Sequence, residues 1–442
     1  MAHGSWKGVH TLGLATALTL TSLPIAPAQQ AAAPAPIRIG IVTFLTGPAA
    51  APFGIPGRNA AEILVENLNA GKLPAPYNQV GLGGAKIEAK YVDEAGSTAQ
   101  QVTEYRNLVQ RDSVDVVLGY ISSGNCLAIV PVAEELQKLT VLNGCGTTRV
   151  FEEKPRKYVF RVNPHATMDN VAAAKYVLDK KNISVYSGIN QNYAWGQDSW
   201  RDFNLSMKTL APQATTDKVL FPKLFAGEFG AEISALLTSN SQFIHSSFFD
   251  GDLEAFIYQS AARGPQRIPL VLTAGETSMF RVGNKLPDGT IIGARGEHAL
   301  LAPDNPLSRW LAQTYTDRFS IAPIFPAYHM AQSVLGLKAA WEKAQAKKGG
   351  ARPGPDEVVA AFEGIEVQTP SGSVRLAIGK GHQGIADTAY GTYYFNKAEG
   401  KPELVDIVHY PAECVNPPGG RGLRCLAGRR NERCEVQLAL DR

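Results

Sequence analysis

Val114–Thr148 reads VDVVLGYISSGNCLAIVPVAEELQKLTVLNGCGTT. Its first part, Val114–Gly119, is short, apolar, β-branched and ends in glycine, which are the marks of a buried strand. Ser122-Ser123-Gly124-Asn125 offers cap-forming side chains ahead of the helix-like Leu127–Gln137. Thr140–Leu142 is the next strand, and Asn143-Gly144-Cys145-Gly146-Thr147-Thr148 follows it. Two small-residue loops therefore close two neighbouring strands on the same edge of an α/β sheet. Backbone N–H groups and hydroxyls at such an edge, beside a helix N-terminus, suit a bound carboxylate.

The same unit recurs on either side. Upstream, Ile37–Val42 is a buried strand, followed by the Gly/Pro-rich loop Thr43–Pro56 with a conspicuous aromatic, Phe53. A helix through Asn69 places Ala61, Leu64, Val65 and Leu68 on one face. Lys86–Val92 is a strand, and Ala99–Arg111 an amphipathic helix. Alternating strands and helices of this length indicate parallel βαβ units with right-handed crossovers. Downstream, after Asn163-Pro164, a second series begins. Strand Ile183–Ile189 ends in the aromatic, polar run Asn190–Gly196. Strand Gln242–Phe249 ends in Asp250-Gly251-Asp252, and strand Pro269–Thr273 ends in the loop Ala274-Gly275-Glu276-Thr277. Pro306–Phe319 and Phe325–Gln345 read as long helices, and Gly372–Asn396 and Glu403–Val408 as β-structure. The pattern predicts an α/β protein of two doubly wound parallel-sheet lobes joined by hinges, with a cleft between two sets of strand C-terminal ends.

Composition narrows the function. The 442 residues are 45% hydrophobic and 19% charged, with a formal charge of +3, which is ordinary globular material in an amount sufficient for two domains. No block of five or more Lys/Arg occurs, so nucleic acid is not expected as a partner. Lys7, the apolar Leu12–Leu23 and Ala26-Pro27-Ala28 have the layout of a secretory signal. No stretch reaches the ~18 apolar residues of a membrane span. Five cysteines fit an oxidising compartment. Two readings suit Cys126 and Cys145, a disulfide between the loops or small unpaired core residues. The eight histidines show no metal-binding spacing. Neither a Walker A motif nor a G-x-S-x-G elbow is present, so no cofactor, metal or catalytic residue is expected.

From Ile37 to about Tyr410 the chain resembles the periplasmic solute-binding proteins of the branched-chain amino-acid and amide family of ABC importers. The resemblance rests on an ordered set: LTGPAAAPFGIPGRNAAEILVENLNAG, VDVVLGYISSGNCLAIVPVAEE, TVLNGCGTT, Asn192–Gln197 and FFDGDLEAFIYQSA. It implies the two-lobed type I periplasmic-binding fold. Residues 37–161 with 294–385 would form one lobe, and 162–293 with 386–410 the other. Residues 1–28 would be a signal peptide cleaved near Ala28, 29–36 a flexible lead-in and 411–442 a Cys-rich tail of the periplasmic protein. The implied partners are a small-molecule ligand and a membrane permease. The implied ligand contacts are the Ser123 hydroxyl, the Cys145 and Thr147 loop, and Phe53 from the first lobe. Tyr193, Phe249 or Asp250, and Glu276 come from the second, with Glu276 meeting an ammonium group. A branched-chain amino acid or amide is the ligand so implied. The aromatics Phe53, Tyr120, Tyr193, Trp195 and Phe249 suit an aromatic carboxylate as the alternative. A ligand sensor and an exported α/β hydrolase are the readings outside transport.

Overall fold

The computed structural model describes residues 1–8, 34–263 and 268–416. Residues 9–28 of the proposed signal segment and 417–442 of the cysteine-rich tail lie outside these residues. The chain divides into Met1–Ala33 and a compact unit from Pro34 onward, and both sheets belong to the second unit.

Five strands come first: β1 (Ile37–Thr43), β2 (Ile87–Asp93), β3 (Val116–Gly119), β4 (Thr140–Leu142) and β5 (Val159–Arg161). Five more follow: β6 (Val185–Ile189), β7 (Thr215–Leu220), β8 (Ile244–Ser246), β9 (Leu270–Leu272) and β10 (Ile291–Gly293). The last are β11 (Glu366–Thr369), β12 (Gly372–Ile378), β13 (Gln383–Ile385), β14 (Thr388–Asn396) and β15 (Lys401–Tyr410). One sheet has the order β11-β12-β13-β5-β4-β3-β1-β2 and the other β15-β14-β10-β9-β8-β6-β7. The β1–β5 pairings are parallel, as are those from β6 to β10. Each sheet also carries an antiparallel edge, β11-β12-β13 in one and β14-β15 beside β10 in the other, so the sheets are mixed and mostly parallel. Late strands joined by short turns can only pair antiparallel, because a parallel return needs a crossover of a dozen residues or more.

Both sheets are covered on both faces. Val116 and Leu118 of β3 point into a core shared with helices Ile55–Asn69, Pro306–Phe319 and Phe325–Lys347. Val117 points into the opposite core, against helices Thr98–Gln110 and Ser123–Glu135. This alternation is the strand's period of two. The second sheet packs in the same way between Ala166–Lys180 with Ala194–Leu210 and Gly230–Leu237 with Glu276–Val282. The architecture is a two-lobed type I periplasmic-binding fold. The chain passes between lobes after β5, after β10 and between β13 and β14. Among the described residues no helix is long and apolar enough to cross a membrane.

Candidate functional site

A cavity lies between the lobes, lined on one side by Phe53, Ile121, Ser123, Gly144 and Gly146. Tyr193, Trp195, Phe249, Ala274 and Arg295 line the other side. Every one of these residues lies near the C-terminal end of a parallel strand, where helix N-termini and strand ends leave room for a ligand.

The first loop is shaped from below. Gly119 has φ +148°, and a Cβ there would stand 2.2 Å from the Val42 carbonyl oxygen, so no other residue fits. The buried carboxylate of Glu94 accepts from the N–H groups of Ile121 and Ser122 and from the Asn125 side chain. Burial pushes Glu94 up to about 7, with those three donors opposing the shift. Ser122 caps the helix Ser123–Glu135 by accepting from Asn125 N–H. Capping therefore falls to Ser122 and leaves Ser123 for another role. Ser123 Oγ accepts from the N–H groups of Gly146 and Thr147, each at 3.2 Å. With its lone pairs so engaged, the hydroxyl of this cavity-lining residue is left its own proton to donate.

Three other expected contacts lie elsewhere. Cys145 is bonded to Cys126, which settles the open question about that pair, and its carbonyl accepts from Arg161 at 2.6 Å. Thr147 donates its hydroxyl to Asp198 of the other lobe at 2.6 Å, so it ties the lobes together beside the cavity. Beside it, Arg201 donates to the Thr148 hydroxyl at 2.9 Å. Glu276 is not in a loop but opens the helix Glu276–Val282, 1% exposed, where its carboxylate accepts from Phe325 N–H at 3.2 Å. Its other oxygen has no partner among the described residues, and burial pushes the group up to about 8. Burial thus favours its uncharged form, and Glu276 is not among the residues that line the cavity. Asp250 opens the helix Asp250–Ala262.

The aromatics do meet. Phe53 and Phe249 face each other across the lobes with ring centroids 5.0 Å apart, edge to face, and Tyr193 lies 6.3 Å from Phe249. Such contacts contribute about 0.5–1.5 kcal/mol each beyond the area they bury. Trp195 donates its indole N–H to the Ser247 carbonyl and presents its ring to the cavity. Gly146 makes that approach possible, since a Cβ there would lie 2.2 Å from the indole ring.

Arg295, absent from the expected set, supplies the cavity's charge. It follows β10 at the hinge with φ +52°, a conformation that costs a non-glycine residue roughly 1–2 kcal/mol. Its guanidinium stacks on Trp195 at 4.5 Å, donates to the Gly144 carbonyl at 2.6 Å and lies 3.3 Å from Asp169. Burial lifts Asp169 to about 7 against the pull of Arg295. Among the described side chains, no carboxylate lines the cavity. A signal did exist: Ile291-Ile292-Gly293 is an apolar strand ending in Gly, with a charged residue two positions on.

The Cys126–Cys145 link ties the two loops across a sequence separation of 19 residues. Replacing both cysteines with serine is expected to lower stability by about 3 kcal/mol, the worth of closing a loop of that length. Urea unfolding of the two proteins measures it, and coincident midpoints would show the link to be dispensable.

Residues 36–398 match the family described as periplasmic binding protein. The Leu/Ile/Val-binding protein homolog 3 of Brucella melitensis is 30% identical over 168 residues, 38% of this chain. That match spans 42% of the relative's own length. A solute-binding protein of an ABC transporter from Rhodopseudomonas palustris, solved with 3,4-dihydroxybenzoic acid, superposes with a TM-score of 0.71 at 18% identity. It covers 87% of this chain and 99% of that one. A leucine-binding protein from Thermotoga maritima gives 0.69 at 16% identity, covering 84% and 98%. At these identities the two structures speak for the fold.

Proposed function

The chain belongs to the periplasmic binding protein family, and on that premise we propose that it is the solute receptor of an ABC importer that takes a small aromatic carboxylate. The observation that carries this reading is the lining of the interlobe cavity: Phe53, Tyr193, Trp195 and Phe249 around one guanidinium and one serine hydroxyl. Aromatic walls favour a flat apolar body, and Arg295 with Ser123 supplies charge-assisted donors for a carboxylate. An amino-acid ligand would also need an acceptor for its ammonium group, and the carboxylate expected in that role is buried behind Phe325. The Rhodopseudomonas palustris proteins solved with benzoate and 4-hydroxybenzoate add support from the fold.

In this reading the ligand docks on the first lobe at Ser123. Closure then brings Tyr193, Trp195 and Phe249 over it, with Arg295 at the hinge, and contact with both lobes selects the closed arrangement. The Thr147–Asp198 and Thr148–Arg201 hydrogen bonds hold the lobes together beside the ligand. The permease then reads the closed form, and the ligand is released unchanged.

Calorimetric titration of the purified protein with benzoate, 4-hydroxybenzoate and leucine is the test. Saturable binding of the aromatic acids with none for leucine is expected, whereas tight leucine binding alone would overturn the ligand assignment. Ser123→Ala is expected to weaken benzoate binding by about 1–3 kcal/mol, the worth of a hydrogen bond to a charged group. An unchanged affinity would remove Ser123 from the site.

A further inference from the structure

A second, small cavity lies beside the Gly144–Thr148 loop. It is lined by Thr148, Phe151, Glu152, Arg161, His165, Ile378 and Gln383, of which Glu152 is exposed. None of these side chains lines the first cavity.

Arg161, the last residue of β5, is completely buried. Its guanidinium donates to the carbonyls of Cys145 and Thr147 and to Gln383, and it faces the Phe151 ring at 5.4 Å. All these partners are neutral. The carboxylates near enough to be felt are Glu152, Asp169 and Asp198. Glu152 is bound by the Thr148 hydroxyl, Asp169 by Arg295 and Asp198 by Arg201. Among the described residues, no carboxylate stands within ion-pair distance of Arg161. A fully buried cation without a counter-charge is exceptional, because the lost hydration is normally repaid by pairing.

His165 points to the same conclusion independently. It is 3% exposed, it lines this cavity, and among the described residues neither ring nitrogen makes a hydrogen bond of full geometry, Asn416 being the side chain that interacts with it. A neutral imidazole has one N–H to donate. The cavity thus sets a guanidinium without a counter-charge and the His165 imidazole against the apolar Phe151 and Ile378, with the Glu152 carboxylate held by Thr148.

We propose that this second cavity is a binding site for a small monovalent anion, a halide or a formate-sized carboxylate, held between the Arg161 guanidinium and the His165 imidazole. The site is separate from the ligand cavity and does not depend on which ligand that cavity takes. Bound there, the anion supplies the counter-charge that Arg161 lacks. It also sits beside the loop whose N–H groups Ser123 organises.

The test exchanges sodium gluconate for sodium bromide, and separately for sodium formate, at constant ionic strength while the melting temperature is followed. A ligand specific to the folded state raises it saturably. The expected result is a saturable rise of several degrees with at least one anion, lost in His165→Leu. A rise with bromide alone assigns a halide, and one with formate alone a carboxylate. Crystals of the unaltered protein soaked in bromide should show an anomalous peak between Arg161 and His165. No peak there would overturn the proposal. So would a response that survives His165→Leu and vanishes in Arg295→Gln, which would place the anion in the ligand cavity instead.

Discussion

Replacing Arg295 with glutamine is expected to weaken benzoate binding by about 2–5 kcal/mol, roughly 30- to 5,000-fold, the range for removing one member of a buried charge pair. The guanidinium is the cationic group in the cavity lining, and its stacking on Trp195 fixes where its donors point. The fold should tolerate the change. Asp169 loses its arginine partner, but burial already holds that carboxyl up to about 7, and without Arg295 it rises further and becomes neutral. A neutral analogue separates charge from packing: benzamide should lose far less affinity than benzoate. Equal losses for the two would mean that Arg295 acts by shaping the hinge, and an unchanged benzoate affinity would end its role in the site.

The parts of this site legible in the sequence are those that local pattern controls. Ser122–Asn125 and Gly144–Thr148 each follow a short apolar strand, so their place on one sheet edge follows from the βαβ rule alone. Phe53, Tyr193 and Phe249 stand out as aromatics in otherwise polar or small-residue strand-end loops, and in the structure they surround one cavity. The misplaced residues depend on contacts distant in sequence. Glu276 sits in Ala-Gly-Glu-Thr, which reads as a loop, yet it is buried because Phe325, 49 positions later, starts a long helix directly above it. Arg295 follows a three-residue strand that pairs with β9 and β14, and only that pairing places it at the hinge. The antiparallel edges were not specified as such, because Gly/Thr/Tyr-rich composition marks β-structure without direction. Cys126 and Cys145 were ambiguous because spacing cannot tell a small buried thiol from a bonded one; their Cα atoms lie 6.5 Å apart, and this distance is set by the packing of the two loops.

Glu276 gives the second large effect, and its sign distinguishes a structural acid from a ligand acceptor. Its folded-state value of about 8 lies well above the 4.5 of a free glutamate, because burial penalises the charged form more than Phe325 N–H and Arg281 favour it. A raised value means that the folded protein holds this proton more tightly than the unfolded chain does. The contribution to stability is then complete below about pH 4.5 and is lost as pH rises toward 8. Between pH 5 and pH 8 the loss amounts to about 3 kcal/mol. Glu276→Gln removes the titration but keeps an oxygen to accept from Phe325, so its stability should vary less over that interval. The other acids with raised values, Glu94, Asp169, Asp202 and Asp387, are present in both proteins and cancel in the difference. Urea unfolding of the two proteins at pH 5 and pH 8 measures it: the gap should move by about 3 kcal/mol in favour of the glutamine variant as pH rises. Benzoate affinity at pH 7 should be nearly the same in both, since burial favours the uncharged form and the group is not among those that line the cavity. A gap that stays constant with pH, together with a large loss of ligand affinity, would instead put a charged Glu276 at the ligand and restore the amino-acid reading.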